Sequence, residues 1–251
     1  MAKLSVNVNK VALLRNSRDL DIPNVLHAAR TCIEAGAHGI TVHPRPDQRH
    51  IRRGDVYDLA KLIADRDWQS HEPVRQRQVE FNIEGYPDER YMQIVAEVRP
   101  TQATLVPDAP DQRTSDHGWN LSRDAAILAP IVARLKTLGI RVSLFLDPVI
   151  SQVELAAQLG ADRIELYTEP YASAFAAGDY RQVLDQYAAA TRKAVSKGLE
   201  INAGHDLNLR NLHTFCAIGA IAEVSIGHAL IADALDIGLS ATVREYLRQL
   251  V

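Results

Sequence analysis

The chain has 251 residues, enough for one large α/β domain with a full core, two smaller domains being the other option at this length. Apolar residues make up 47% and charged residues 24%, and the formal net charge is -3 with no long run of one sign. That balance excludes a nucleic-acid groove or an anionic membrane surface as the main partner, so any local arginine cluster needs a local explanation. Two cysteines, Cys32 and Cys216, fall inside apolar helical patterns and read as free thiols in a reducing compartment. No stretch approaches the roughly 20 apolar residues of a membrane span, and residues 1–7 lack the apolar core of a signal peptide. The expectation is a cytoplasmic protein with no membrane partner.

Along the chain, short β-rich runs alternate with longer helical patterns. The strand candidates are 4–9, 39–43, 79–84, 103–107, 141–147, 163–168, 200–205 and 222–227. Most are nearly continuous apolar runs, as expected of parallel strands covered on both faces. Between them a helix is predicted over 122–138, with Ile127, Leu128, Ile131, Leu135 and Leu138 on one side and a proline, Pro130, that could kink it. Gly36, Gly139, Gly160, Gly198 and Gly219 each stand where a helix should stop and a strand begin, a site where glycine takes the left-handed conformation at no steric cost. Residues 108–119 and 170–179 read as the two longest irregular stretches. The segment 9–15 after the first strand has no glycine, unlike the phosphate turn of an open doubly wound sheet. The pattern predicts an α/β fold, a single closed (β/α)8 TIM barrel over residues 1–251.

In such a barrel the chemistry sits at the carboxyl ends of the strands. His43, Glu84 and His205 are three groups able to carry protons, each ending a different strand. Each could be a hydrogen-bonded barrel residue; together they read as a general acid/base set. The opposite strand ends are expected to contribute almost nothing comparable. Pro44 and Pro46 stiffen a loop that presents Arg45, Arg49 and His50, which suits a phosphorylated substrate, and Arg15 and Arg18 after the first strand add to this. Gly227-His228-Ala229 opens the last helical pattern, where unpaired amides could take a second phosphate. Neither H-x-H nor H-E-x-x-H occurs and no cysteine pair has ligand spacing, so the reading has no metal and no cofactor.

The stretches Val6-Asn7-Val8, Leu14-Arg15-Asn16-Ser17-Arg18, Gly39-Ile40-Thr41-Val42-His43-Pro44-Arg45, Arg49-His50-Ile51, Asn82-Ile83-Glu84, Leu105-Val106-Pro107, Val142-Ser143-Leu144-Phe145, Asn202-Ala203-Gly204-His205 and Ile226-Gly227-His228-Ala229 resemble, in order and over essentially the whole chain, the pyridoxine 5'-phosphate synthase family of vitamin B6 biosynthesis. The resemblance implies condensation of 3-amino-2-oxopropyl phosphate with 1-deoxy-D-xylulose 5-phosphate through imine intermediates, giving pyridoxine 5'-phosphate, phosphate and water. It implies that His43 and Glu84 accept protons and that His205 donates one. It places Asn7, Arg18, Asp206, Gly227 and His228 on the aminoketone phosphate, and Arg45, His50 and Thr114 on the deoxyxylulose phosphate. It also implies a closing loop around Thr114, short extra helices on the barrel and a homo-octamer built from dimers. Two positions depart from the common pattern: Asn9-Lys10 stands where many members carry Asp-His, and Asp206 where many carry glycine. Two other readings are a lyase or isomerase barrel acting on another sugar phosphate, and a non-catalytic barrel that binds phosphate ligands.

Overall fold

The computed structural model describes residues 1–65, 78–108, 112 and 114–250. Eight parallel strands close into a barrel in sequential order. They are β1 (Lys3–Asn7), β2 (Gly39–Val42), β3 (Glu80–Gly85), β4 (Gln102–Leu105), β5 (Arg141–Leu146), β6 (Arg163–Tyr167), β7 (Glu200–Gly204) and β8 (Ile221–Ile226). Around them run α1 (Asn9–Asn16), α2 (Val25–Glu34), α3 (Arg53–Ala64), α4 (Glu89–Val98), α5 (Leu121–Thr137), α6 (Ile150–Gln158), α7 (Glu169–Ala177), α8 (Arg181–Ser196), α9 (Leu212–Cys216), α10 (His228–Ile237) and α11 (Leu239–Arg248). Every expected strand is present, and each ends one to two residues earlier or later than predicted. His43 and His205 therefore fall just past their strands, in backbone free to aim side chains at the mouth.

The five glycine stops all have positive φ, from 73° at Gly139 to 119° at Gly36. Side chains that point outward from the strands, such as Leu4, Ile40, Ile83 and Leu144, pack under the helices and are fully buried. Both thiols are free.

Three local expectations are corrected. Residues 9–15 are not a turn but most of α1, which follows β1 after Val8 alone; Asn7 Oδ1 accepts from Asn9 N at 3.0 Å across that junction. Most of 170–179 is α7, with Pro170 in its first turn, where a missing N–H costs nothing, and Gly178 at φ 82° ending it. Tyr171 anchors it, fully buried against Phe215 at 5.1 Å between ring centroids. In α5 the buried stripe is Leu121, Asp124, Leu128, Val132 and Leu135, and Pro130 lies within the continuous helix. Ile127 is 59% exposed, because one step from Leu128 turns it about 100° off that stripe.

The inner surface of the barrel is polar at both ends, which overturns the expected asymmetry. At the amino end Glu80 is held by Lys3 and Arg141. Arg163 reaches Glu200 at 2.6 Å, Glu223 at 3.6 Å and Gln102 Oε1 at 3.2 Å. These groups pair with one another across the strands, and that pairing between distant positions is what the sequence pattern does not display.

Candidate active site

A cavity of about 640 Å³ opens at the carboxyl ends of the strands. Of the residues singled out in the sequence, Asn7, His43, Arg45, His50, Glu84, Thr114, His205, Asp206, Gly227 and His228 all line it. Arg18 does not. It is exposed beyond the end of α1, where its backbone N–H bonds to Arg15 O at 3.3 Å. Arg15 is buried and grips Asp55 with both terminal nitrogens, at 2.6 and 2.9 Å, so it braces the 48–55 segment rather than facing the cavity.

The junction of β1 with α1 organises one side of the mouth. Asn7 Nδ2 donates to Glu84 Oε2 at 3.3 Å, and Asn9 Oδ1 accepts from His43 N at 2.9 Å. His43 is 7% exposed; burial first, then the charge of Arg45, hold its imidazole well below the usual histidine value, so the ring stays neutral. The His50 ring lies edge-on to it, 6.2 Å away. His50 Nδ1 accepts from Ile51 N at 2.9 Å, and burial with the neighbouring Arg45 and Lys10 drives that ring down to about 4.

Glu84 opens onto the cavity along one side and is enclosed by protein on the others. Burial, then the nearby carboxylates Glu165 and Asp108, push it well above the usual carboxylate range. Glu165 was missed in the sequence. It lies in the middle of β6, whereas attention fell on strand ends, but the alternation Arg163, Glu165, Tyr167 points all three inward and could have revealed it. Burial and Glu223 raise it to about 8. Its Oε2 and the Ser225 Oγ are buried with no hydrogen-bond partner among the described residues.

Across the mouth, His205 and Asp206 have φ of 76° and 60°. Two consecutive non-glycine residues in the left-handed region cost about 1–2 kcal/mol each, strain of the kind that gathers at functional sites. The His205 ring meets Tyr167 edge-on at 5.2 Å and Phe145 at 6.3 Å. Its Nε2 lies 3.4 Å from Thr114 Oγ1, and its Nδ1 lies 3.3 Å from Asp206 Oδ2.

Two further groups of residues flank these. Arg45 is buried in an ion pair with Asp108, an acid the sequence reading did not single out. Arg45 Nη1 and Arg49 Nη1 also donate to Gln112 O, at 2.9 and 3.1 Å, which ties the 108–119 loop to the arginine loop. On the far side Gly227 is the N-cap of α10, and Gly227, His228 and Ala229 line the cavity, so this helix brings its amino terminus to the site. A Cβ on Gly227 would stand 3.2 Å from Asn7 Cβ, so glycine lets α10 start close against β1. Among the described residues, no group of three or more His, Cys, Asp or Glu is placed to hold a metal ion. No helix among them is long and apolar enough to cross a membrane.

The arrangement joins a neutral imidazole, a proton-retaining carboxyl, a second imidazole across the cavity, a paired arginine and a helix amino terminus. Proteins of known structure share the fold at low sequence identity. Phosphoribosyl anthranilate isomerase from Thermotoga maritima superposes with a TM-score of 0.61 at 10% identity, covering 100% of this chain and 98% of that one. The Thermus thermophilus isomerase gives 0.56 at 13%, covering 99% and 98%. Sequence relatives are far closer. A Porphyromonas gingivalis protein named pyridoxine 5'-phosphate synthase is 51% identical over 251 residues, 100% of this chain and 99% of its own. Proteins of the same name from Albidiferax ferrireducens and Xanthomonas campestris are 52% and 54% identical, covering 98% and 97% of this chain and 96% and 94% of theirs. The profile of the family described as pyridoxal phosphate biosynthesis protein PdxJ matches residues 4–251, and the chain belongs to that family.

Proposed function

We propose that the mouth of this barrel condenses 3-amino-2-oxopropyl phosphate with 1-deoxy-D-xylulose 5-phosphate to pyridoxine 5'-phosphate, phosphate and water. The observation that carries the reading is the convergence of His43, Glu84 and His205 on one cavity, with Arg45 and Arg49 on one side and the start of α10 on the other. Ring closure needs several proton shifts on nitrogen, carbon and departing oxygen, and each group is suited to one direction. His43, kept neutral by burial and by Arg45, has a free lone pair and accepts a proton. Glu84, whose carboxyl holds its proton far more tightly than an ordinary one, is a correspondingly strong base once ionised. His205 donates from the opposite wall. Glu165, a second buried carboxyl on the cavity wall raised to about 8, keeps its proton near neutral pH and adds a hydrogen-bond donor beside Glu84.

Asn7, the α10 amides with Gly227 and His228, and the backbone at Asp206 take the aminoketone phosphate. Arg45 and His50, with Thr114 from the 108–119 loop, take the deoxyxylulose phosphate; that loop closes over the imines and keeps water from them. Arg18 reaches substrate only with a change of position from the one described. One cytoplasmic domain carries all of these groups. Exposed Leu14, Leu20, Ile22 and Leu235 supply apolar surface for a homo-octamer of dimers, which sedimentation velocity tests.

The decisive experiment supplies purified protein with both substrates and follows pyridoxine 5'-phosphate together with phosphate release. Formation of both in equal amounts is expected. A protein that binds both substrates and makes neither product contradicts the reading, and a phosphate-binding barrel without chemistry takes its place.

A further inference from the structure

Asp206 carries a side chain where the backbone asks for none. At φ 60° glycine would sit without strain, yet an aspartate stands there, directly after His205 at φ 76°. The turn is clamped from both sides. Thr168, fully buried, donates its hydroxyl to the carbonyls of Gly204 and His205. Asn208 Nδ2 and Asn211 Nδ2 both donate to Asp206 O at 3.2 Å, and Tyr171 fixes Asn211 through its carbonyl at 2.8 Å. With the backbone so determined, the two side chains have little freedom. Asp206 Oδ2 lies 3.3 Å from His205 Nδ1, while His205 Nε2 faces Thr114 and the cavity.

We propose that Asp206 is a positioning residue for the proton transfer by His205: its carboxylate accepts Nδ1–H, fixes the ring with Nε2 toward the substrate and balances the imidazolium. This rests on the reading of His205 as proton donor. In the step, the Nε2–H bond breaks, the proton passes to a substrate oxygen or nitrogen, and the bonding pair stays on Nε2. The ring is then neutral with its remaining proton on Nδ1, the tautomer that Asp206 holds. Lys10 and His228 also act on the Asp206 carboxylate, so its charge could instead serve the neighbouring anion site. The two roles separate kinetically. Loss of a partner for His205 lowers kcat, whereas disturbance of Lys10 and His228 raises a substrate KM.

Asp206→Gly is the incisive variant, because glycine suits the left-handed position and folding is not put at risk. Its Tm should equal or exceed the parent's. Its kcat should fall about tenfold, a fraction of the roughly 10²–10⁴ that a positioned proton carrier contributes, with both KM values within about twofold. Asp206→Asn should be at least as slow, since an amide can offer N–H to Nδ1 and hold the opposite tautomer. Nitrogen-15 NMR of the neutral His205 ring should show the proton on Nδ1 in the parent and a shift toward Nε2 in Asp206→Gly. The proposal is overturned if either variant keeps the parent kcat within twofold, if the loss falls on KM, or if the ring tautomer does not change. His205→Asn separates the two layers: full activity there removes the proton-donor reading itself, whereas inactivity there beside an unaffected Asp206→Gly removes the role of Asp206 alone.

Discussion

Glu80 and Glu84 lie on one strand, four residues apart, with both side chains inside the barrel, yet they are held in opposite ways. At the amino end burial works to raise Glu80, but Lys3 and Arg141 outweigh it and hold its carboxyl below the usual range. At the carboxyl end Glu84 has one amide partner, Asn7, and acidic neighbours, and it is pushed far the other way. Polar content does not distinguish the two ends; pairing does. A buried carboxylate held by protein cations, as Glu80 is, belongs to the scaffold, whereas one left raised and facing the cavity, as Glu84 is, is poised for a ligand.

Removing the proton carriers at the mouth tests this contrast most strongly. His43→Ala and Glu84→Gln should each lower kcat by roughly 10²–10⁴ without unfolding the protein, read by steady-state assay beside circular dichroism. Next comes Arg163, 5% exposed in its side chain and shared among Glu200, Glu223 and Gln102. Arg163→Met leaves the buried Glu223 carboxylate without its guanidinium and should cost about 3–5 kcal/mol of stability in urea denaturation. An equally active but destabilised variant would sharpen the comparison, and an unaffected stability would break it.

Glu165 gives a pH test. The unfolded chain releases this proton near 4.5, the folded protein near 8. Between those values the folded state binds more protons, so this carboxyl makes stability fall as pH rises. Glu165→Gln should therefore melt higher than the parent at pH 8, with the difference shrinking toward pH 4; a constant difference across that range would speak against the raised value. The smallest effect is expected at Lys3, 45% exposed in its side chain, because Arg141 remains on Glu80. Lys3→Met should change stability by no more than about 1 kcal/mol.

The barrel was legible because glycine stops and apolar runs are local signals, and strand ends led directly to His43, Glu84 and His205. What stayed hidden depends on contacts between distant residues. Arg15 and Arg18 looked alike in sequence, but only the bidentate pairing with Asp55, 40 positions away, assigns Arg15 to the scaffold. The sequence presents Arg45 on a stiff loop but not its partner Asp108, 63 positions on. Helices α1 and α7 were hidden because α1 starts directly off β1 with no side-chain cap to announce it, and a first-turn proline resembles loop chemistry when tertiary packing is unseen. Asp206 is the reverse case: a departure from the family pattern whose meaning lies in one positive φ and one imidazole contact.

The most direct test sets Glu80→Gln beside Glu84→Gln, measuring kcat and Tm for both in the same buffer. Glu84→Gln should lose activity by at least about 10²-fold with Tm unchanged or higher. Glu80→Gln should lower Tm and, below it, keep kcat within a few-fold of the parent. Loss of kcat at Glu80 with full activity at Glu84 would contradict the account.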